Sequence, residues 1–163
     1  MELRTLRPFK RASHGLQPDT PWRFRMMNRT PSRLVTTVPA IDTFMEGEHR
    51  LQMHPPSLME FTITAPVTSL RAKIGFLSPG AWERADGTDG VDFIVEWVDA
   101  SGRVVPLGSR FLDPKRHAED RAAQIIVVDL GGRHDGKLRL RTAAGPTGNA
   151  AFGWTYWTAL EIK

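Results

Sequence analysis

The chain has 163 residues, with the hydrophobic (40%) and charged (25%) content of an ordinary globular domain. It contains no cysteine, which excludes disulfides, thiolate metal sites and cysteine nucleophiles. No apolar run approaches the roughly 18 residues that span a bilayer, and the N-terminus lacks the apolar region of a secretory signal. The sequence therefore predicts a cytoplasmic protein with no transmembrane segment or signal peptide, and leaves a peripheral membrane association open.

The net charge of +4 is concentrated at the N-terminus. Residues 1–33 carry eight Arg or Lys against Glu2 and Asp19, a balance of +6 that leaves −2 for residues 34–163. Five prolines between Pro8 and Pro39 interrupt this region and disfavour a helix. We predict an extended basic arm over residues 1–33, followed by a folded domain over residues 34–163.

Three kinds of partner suit such an arm. Nucleic-acid phosphates attract basic residues, but the positive charge does not continue onto the domain, so nucleic acid is disfavoured. Anionic lipid is the second partner, and a protein is the third. We predict docking onto a larger protein assembly, at an anionic membrane surface as in a respiratory or photosynthetic complex. The arm residues predicted to make this contact are Arg4, Arg7, Phe9, Lys10, Arg11, Trp22, Arg23 and Arg25.

Strand-like segments follow the arm. After "RLVTTVPAI" and "HRLQM", the segments "VTSLRAKIGF" and "VDFIVEWV" place apolar residues at every second position. The turn "DASG" leads into "RVVPLGSRFL", where Pro106 indicates an edge strand. Further strands are predicted in "QIIVVDL", "KLRLRT" and "FGWTYWTALEI", whereas a helical turn is predicted only in "PKRHAEDRAA". Short strands about ten residues apart predict an all-β, antiparallel jelly-roll β-sandwich, best supported over residues 58–163.

A family resemblance rests on these strands. The features that carry it are "LRAKIGF", "DGVDFIVEWVDASGRVV", "IIVVDLGGRHDGKLRLRT" and "FGWTYWTALEI". From about Leu58 to Ile162 the chain resembles the galactose-binding-like jelly-roll sandwiches, in particular the NPCBM-type modules found beside glycosidases. The resemblance implies a carbohydrate-binding module, but it assigns no sugar contact to a particular residue.

Catalytic motifs are missing from the sequence. It has no H-E-x-x-H, no G-x-S-x-G and no Walker A motif, so we predict no enzymatic activity and no catalytic residues. The segment "ADGTDGVD" supplies three carboxylates, those of Asp86, Asp89 and Asp92, among glycines that bend the backbone as calcium sites require. Its spacing does not fit the EF-hand, and the alternative is a polar loop that binds no metal. Calcium is the one cofactor that the sequence suggests.

Two tryptophans are predicted as anchors for a ligand or a partner. Trp82 lies in a polar loop, where it either stacks on a ligand or covers the core. In "GWTYWTALEI", uninterrupted alternation puts Trp154 and Tyr156 on the core face and leaves Trp157 on the outer face. The sequence thus supports two functions: a non-catalytic accessory subunit that docks through its arm and exposed aromatics, and a carbohydrate-binding module of the galactose-binding-like class.

Overall fold

A computed structural model describes residues 24–163 as two antiparallel β-sheets. The strands are β1 (Arg33–Thr36), β2 (Ile41–Met45), β3 (Glu48–Gln52), β4 (Ser57–Ile63), β5 (Val67–Phe76), β6 (Val91–Val98), β7 (Val104–Leu112), β8 (Gln124–Arg133), β9 (Gly136–Ala144) and β10 (Thr155–Ile162). One helical turn, α1 (Gly80–Glu83), follows β5, and a 3-10 turn (Ala118–Arg121) follows β7. Within the described residues, no helix has the length and the apolar character to cross a membrane.

The order of the strands is that of a jelly roll. One sheet runs β1-β4-β9-β6-β7 and the other runs β2-β3-β10-β5-β8. The eight strands from β3 onward alternate between the sheets, except for the β6–β7 hairpin, and this order contains the two Greek keys of an eight-stranded jelly roll. β1 and β2 extend one edge of each sheet. The predicted all-β jelly-roll sandwich is therefore confirmed, and β7, which contains Pro106, is an edge strand as expected.

The apolar side chains of the alternating segments fill the space between the two sheets. Val91, Phe93, Val95 and Trp97 of β6 are all buried, as are Leu138 and Leu140 of the neighbouring strand β9. Since successive side chains of a strand point to opposite faces, the polar residues between them lie on the outer face of the sheet. The core face of β6 is thus confirmed residue by residue.

β10 departs from the predicted alternation. A β-bulge lies between Thr158, which pairs with Lys73, and Glu161, which pairs with Arg71. Ala159, inside the bulge, has a φ of 46°. The extra residue shifts the side-chain alternation by one position, so the core side chains are Thr155 and Trp157 before the bulge, and Leu160 and Ile162 after it.

The predicted exposure of Trp157 is therefore wrong. Its side chain is fully buried, between Leu51 of β3 and Ile74 of β5, and its ring packs edge-on against Phe93 at 5.2 Å. Tyr156, predicted to lie in the core, is on the outer face instead, buried beneath the Arg50 guanidinium at 4.6 Å. Trp157 is a core residue and cannot anchor a ligand or a partner.

The boundary between arm and domain also differs from the prediction. Phe24 and Met26 are buried in the core, although both lie inside the predicted arm of residues 1–33. Met27 forms a parallel bridge with Leu160, and the Asn28 side chain exchanges two hydrogen bonds of 3.0 Å with the backbone of Ile162. This segment adds to the sheet beside β10, so the folded domain includes residues 24–33.

Candidate functional site

Among the connections from β3 onward, four meet at one end of the sandwich, which we call the loop end. They are residues 53–56, 77–90, 113–123 and 145–154, and they join β3 to β4, β5 to β6, β7 to β8 and β9 to β10. The opposite end, which we call the turn end, has the short connections at residues 64–66, 99–103 and 134–135. Binding residues usually lie on loops that a rigid scaffold holds in place, so the loop end is the candidate site.

Four aromatic side chains gather at the loop end and form what we call the loop-end aromatic cluster: Phe76, Trp82, Phe152 and Trp154. Phe76 at the end of β5 meets Trp82 of α1 edge-on at 6.2 Å. Phe152 meets Trp154 in the same manner at 5.5 Å. Phe76 is buried, whereas the other three pack against the core and keep part of their surface exposed. The cluster therefore presents aromatic surface to solvent from a packed base.

Trp154 of one aromatic pair lies close to α1, which carries Trp82 of the other pair. A Cβ placed on Gly80 would lie 3.4 Å from Cζ3 of Trp154, so this tryptophan packs close to the backbone of the helical turn that carries Trp82. Phe152 has a φ of 58°, which is rare for a bulky residue and tends to occur at functional sites. This turn of the backbone sets the Phe152 ring beside Trp154.

Arg84 adds a cationic group to the cluster. Its guanidinium lies over the Phe152 ring at 4.9 Å. Its Nε and Nη2 donate hydrogen bonds of 3.0 and 3.3 Å to the two carboxylate oxygens of Asp86. The hydrogen bond from Arg84 holds the pKa of Asp86 below its usual value, so this exposed pair is charged at neutral pH.

Two polar contacts and one close packing contact join the four loops. Thr147 donates its backbone N–H, at 3.1 Å, and its hydroxyl to Asp89, which joins residues 145–154 to residues 77–90. Lys115 donates to the carbonyl oxygen of Ala85 at 2.6 Å and joins the third loop. Gly153 approaches Pro55 so closely that an added Cβ would lie 2.6 Å from the proline ring. The loops that carry the aromatic side chains are thus held against one another.

Trp82, singled out in the sequence, is part of this cluster. It is half-buried and packs against the core, so the two roles expected of it, covering the core and offering a ligand surface, are compatible in the structure. Sequence reasoning missed Phe152, and it assigned Trp154 to the core face of β10. The signal that would have found both is "GPTGNAAFGW", because a run of small and turn-forming residues up to Gly153 marks a loop rather than a strand.

The three carboxylates considered for calcium are not brought together. Asp86 pairs with Arg84, while one oxygen of Asp89 accepts the hydrogen bonds from Thr147. Asp89 and Asp92 each keep one buried oxygen without a partner among the described residues, which is far short of the six to eight oxygens that calcium takes. In residues 24–163, no three His, Asp or Glu side chains form a group that fits a metal ion.

Asp92 lies on the outer face of β6, and its position leads to a stability prediction. Its strand neighbours in register are Phe111 and Ala143, and burial raises the pKa of the carboxyl even though Arg141 lowers it. A carboxyl with a raised pKa destabilises the fold when it is ionised, and this cost fades as the pH falls through the folded-state pKa. We expect Asp92→Asn to raise the free energy of unfolding at pH 7 and to have little effect near pH 3, in urea unfolding. A loss of stability at pH 7 would contradict this.

Most of the predicted arm contacts lie outside the described residues. These are Arg4, Arg7, Phe9, Lys10, Arg11, Trp22 and Arg23. Arg25 is described and exposed, while its neighbours Phe24 and Met26 are buried in the domain. Docking of the chain onto a larger assembly through these residues stays a prediction.

Comparison with known proteins gives a likeness in fold alone. No family model and no curated protein matches the chain. Among solved structures, the CBM51-2 and INT domains of Clostridium perfringens ZmpB are 17% identical, with a TM-score of 0.49, and the match covers 78% of this chain and 24% of that structure. The same module in complex with GlcNAc is 16% identical, with a TM-score of 0.47 and the same coverage.

A family 6 carbohydrate-binding module is also similar, at 6% identity and a TM-score of 0.40, with 83% of this chain and 84% of that chain covered. This chain spans about a quarter of the length of the ZmpB structures. The fold assignment itself rests on the strand order described above.

Proposed function

We propose that this chain is a non-catalytic carbohydrate-binding module of the galactose-binding-like class, and that its ligand surface is the loop end. The observation that carries the proposal is the set of three half-buried aromatic side chains, Trp82, Phe152 and Trp154, on loops that contact one another. Aromatic faces bind the apolar C–H faces of sugar rings, and tryptophan gives the largest such surface.

The charges at the loop end favour a neutral sugar. Arg84 is paired with Asp86, Arg116 with the buried Asp113, and Lys115 donates to a backbone carbonyl. A ligand with a formal charge would have to compete with these contacts, whereas neutral hydroxyls can add hydrogen bonds at their exposed sides. The N–H groups of Arg84 that are not bonded to Asp86 are suited to donate to a sugar hydroxyl.

The locked loops support binding by a small ligand. A single sugar ring offers few contacts, so its affinity depends on how little the protein must reorganise. The contacts that join residues 145–154 to residues 77–90 and to Pro55 hold the aromatic side chains in one arrangement. The loop end is thus a preformed surface for one or two sugar rings.

Calorimetric or NMR titration with neutral sugars tests the proposal. N-acetylglucosamine and its short oligomers, with galactose and glucose, make a suitable first panel. We expect saturable binding to the native protein, and a loss of about tenfold or more in affinity for Trp82→Ala and for Trp154→Ala, since truncation of a tryptophan anchor costs about 2 kcal/mol.

The matched control is Phe44→Ala. Phe44 is the most exposed phenylalanine among the large apolar side chains of the described residues, at 50%, and it lies on β2, away from the loop end. This variant should bind as the native protein does. Circular dichroism would confirm that each variant is folded. Unchanged affinity in both folded tryptophan variants, or no binding of any sugar by the native protein, would reject the proposal.

A further inference from the structure

A cavity lies at the turn end, at the other end of the strands from the aromatic cluster. Its volume is about 490 Å³, and its lining includes Asp99 of the β6–β7 turn, Asp135 of the β8–β9 turn, and Gly136, Lys137 and Arg139 of β9. Small-molecule sites have volumes of about 300–1,000 Å³, so the cavity, which we call the turn-end groove, has the size of a ligand site.

The cations of the groove are fixed by one buried carboxylate. Glu60 of β4 is opposite Arg139 in register, and its side chain is only 3% exposed. Arg139 Nε donates to Oε2 at 2.7 Å, and Lys137 Nζ lies 3.2 Å from Oε1. Burial opposes the ionisation of Glu60, but these two contacts outweigh burial and hold its pKa below the usual value. Glu60 is therefore charged at neutral pH.

Two cations share this single carboxylate, so these three groups together carry one net positive charge, beside the acidic rim formed by Asp99 and Asp135. The Nη1 and Nη2 groups of Arg139 have no partner within residues 24–163, and Lys137 is half exposed. An arginine whose Nε is held and whose Nη groups are free is suited to bind a second carboxylate with two parallel hydrogen bonds. The groove thus offers a positioned anion-binding group.

Gly136, which also lines the groove, leaves no room for a side chain on its core-facing side. A Cβ there would meet the Trp97 ring and lie 2.6 Å from the carbonyl oxygen of Val98. The rim is acidic but largely engaged. Asp99 accepts hydrogen bonds from the backbone N–H groups of Ser101 and Arg103, at 2.9 and 3.0 Å, whereas Asp135 is 69% exposed and contacts His134. Asp135 has an oxygen free to accept from a hydroxyl.

We propose that the turn-end groove binds an acidic sugar unit, with the sugar carboxylate against Arg139 and Lys137 and a ring hydroxyl donating to Asp135. The binding of a carboxylate is inferred from the groove alone. The choice of a sugar as the molecule that carries this carboxylate rests on the function proposed above. The chain then has two ligand surfaces at opposite ends, one for neutral sugars and one for acidic sugars.

Titration with glucuronate, followed by NMR, tests this second site, with glucose as the neutral counterpart. We expect glucuronate to bind, and Lys137→Gln and Arg139→Lys each to weaken binding about tenfold, since a hydrogen bond to a charged group contributes about 1.5–3 kcal/mol. Asp135→Ala removes the acceptor of the ring hydroxyl and should also weaken binding. The matched control is Arg71→Gln, an exposed arginine on the outer face of the other sheet, and it should change nothing.

Each outcome is decisive for one site or the other. If the native protein does not distinguish glucuronate from glucose, or if folded Lys137→Gln binds glucuronate normally, the acidic-sugar site is rejected. A loss in Arg71→Gln equal to that in Lys137→Gln would also reject it, because the effect would then be general electrostatics. Glucuronate binding that depends on Lys137 but not on Trp154 would support the groove even if the loop end bound no sugar.

Discussion

Replacing Trp157 by alanine is expected to lower the free energy of unfolding by about 3–5 kcal/mol. The side chain is fully exposed in the unfolded chain and fully buried in the fold, between the two sheets and against Phe93. Its removal leaves a cavity that the neighbouring strands β3 and β5 cannot fill without moving. Urea unfolding followed by circular dichroism measures the change.

Trp157→Phe is the control for this prediction. The indole Nε1 is buried without a hydrogen-bond partner in the described part of the chain, so the ring rather than the N–H group provides the stability. Phenylalanine retains most of the ring, and we expect a loss of less than about 1.5 kcal/mol. If Trp157→Ala were as stable as the native protein, Trp157 would have to be exposed, as the uninterrupted alternation had predicted.

Gly90→Ala is expected to cost about 3 kcal/mol or more in unfolding free energy, from two sources. The backbone has a φ of 101°, a conformation that alanine rarely adopts. In addition, the new Cβ would meet the Phe111 ring and lie 2.8 Å from the carbonyl oxygen of Leu112. Both sources act in the native state, so thermal or urea unfolding reports their sum.

Gly102→Ala separates these two sources. Gly102 has a similar φ of 86°, but no atom lies within 4 Å of its Cβ position. It should therefore cost only the backbone term, about 1 kcal/mol. Equal losses in the two variants would show that the close approach of Phe111 adds nothing.

The glycines of "ADGTDG" show what the sequence could reveal and what it could not. Their density predicted a bent loop, and the structure has one. The sequence does not reveal which residues the bend brings into contact. Gly87 and Gly90 allow the close approach of Ala81 and Phe111. Such close approaches depend on residues distant in sequence, so no local pattern records them.

β10 shows the limit of periodicity. Alternation correctly predicted a strand, and Leu160 and Ile162, after the bulge, lie in the core. It failed before the bulge, because Ala159 takes a positive φ without the glycine that normally marks such a position. One unmarked residue was enough to exchange the two faces of Trp157 and Tyr156.

In the N-terminal segment, by contrast, the sequence predicted too little structure. Its prolines suggested an arm outside the domain, although two of its side chains are buried in the core. Phe24 and Met26 bury their side chains, and Asn28 bonds to the far end of the chain at Ile162. Pairing across more than 130 residues cannot be inferred from composition. The sandwich itself was predictable, because β6 and β9 repeat a simple pattern that any two-layer β-fold requires.

The indole N–H signals of the tryptophans test the central claim most directly. In a nitrogen-15 NMR titration with a neutral sugar that binds, the signals of Trp82 and Trp154 should shift and saturate together. Those of the buried Trp97 and Trp157 should stay in place, because the ligand would not reach the core. Saturable sugar binding that leaves the Trp82 and Trp154 signals unmoved would contradict the assignment of the loop end as the carbohydrate surface.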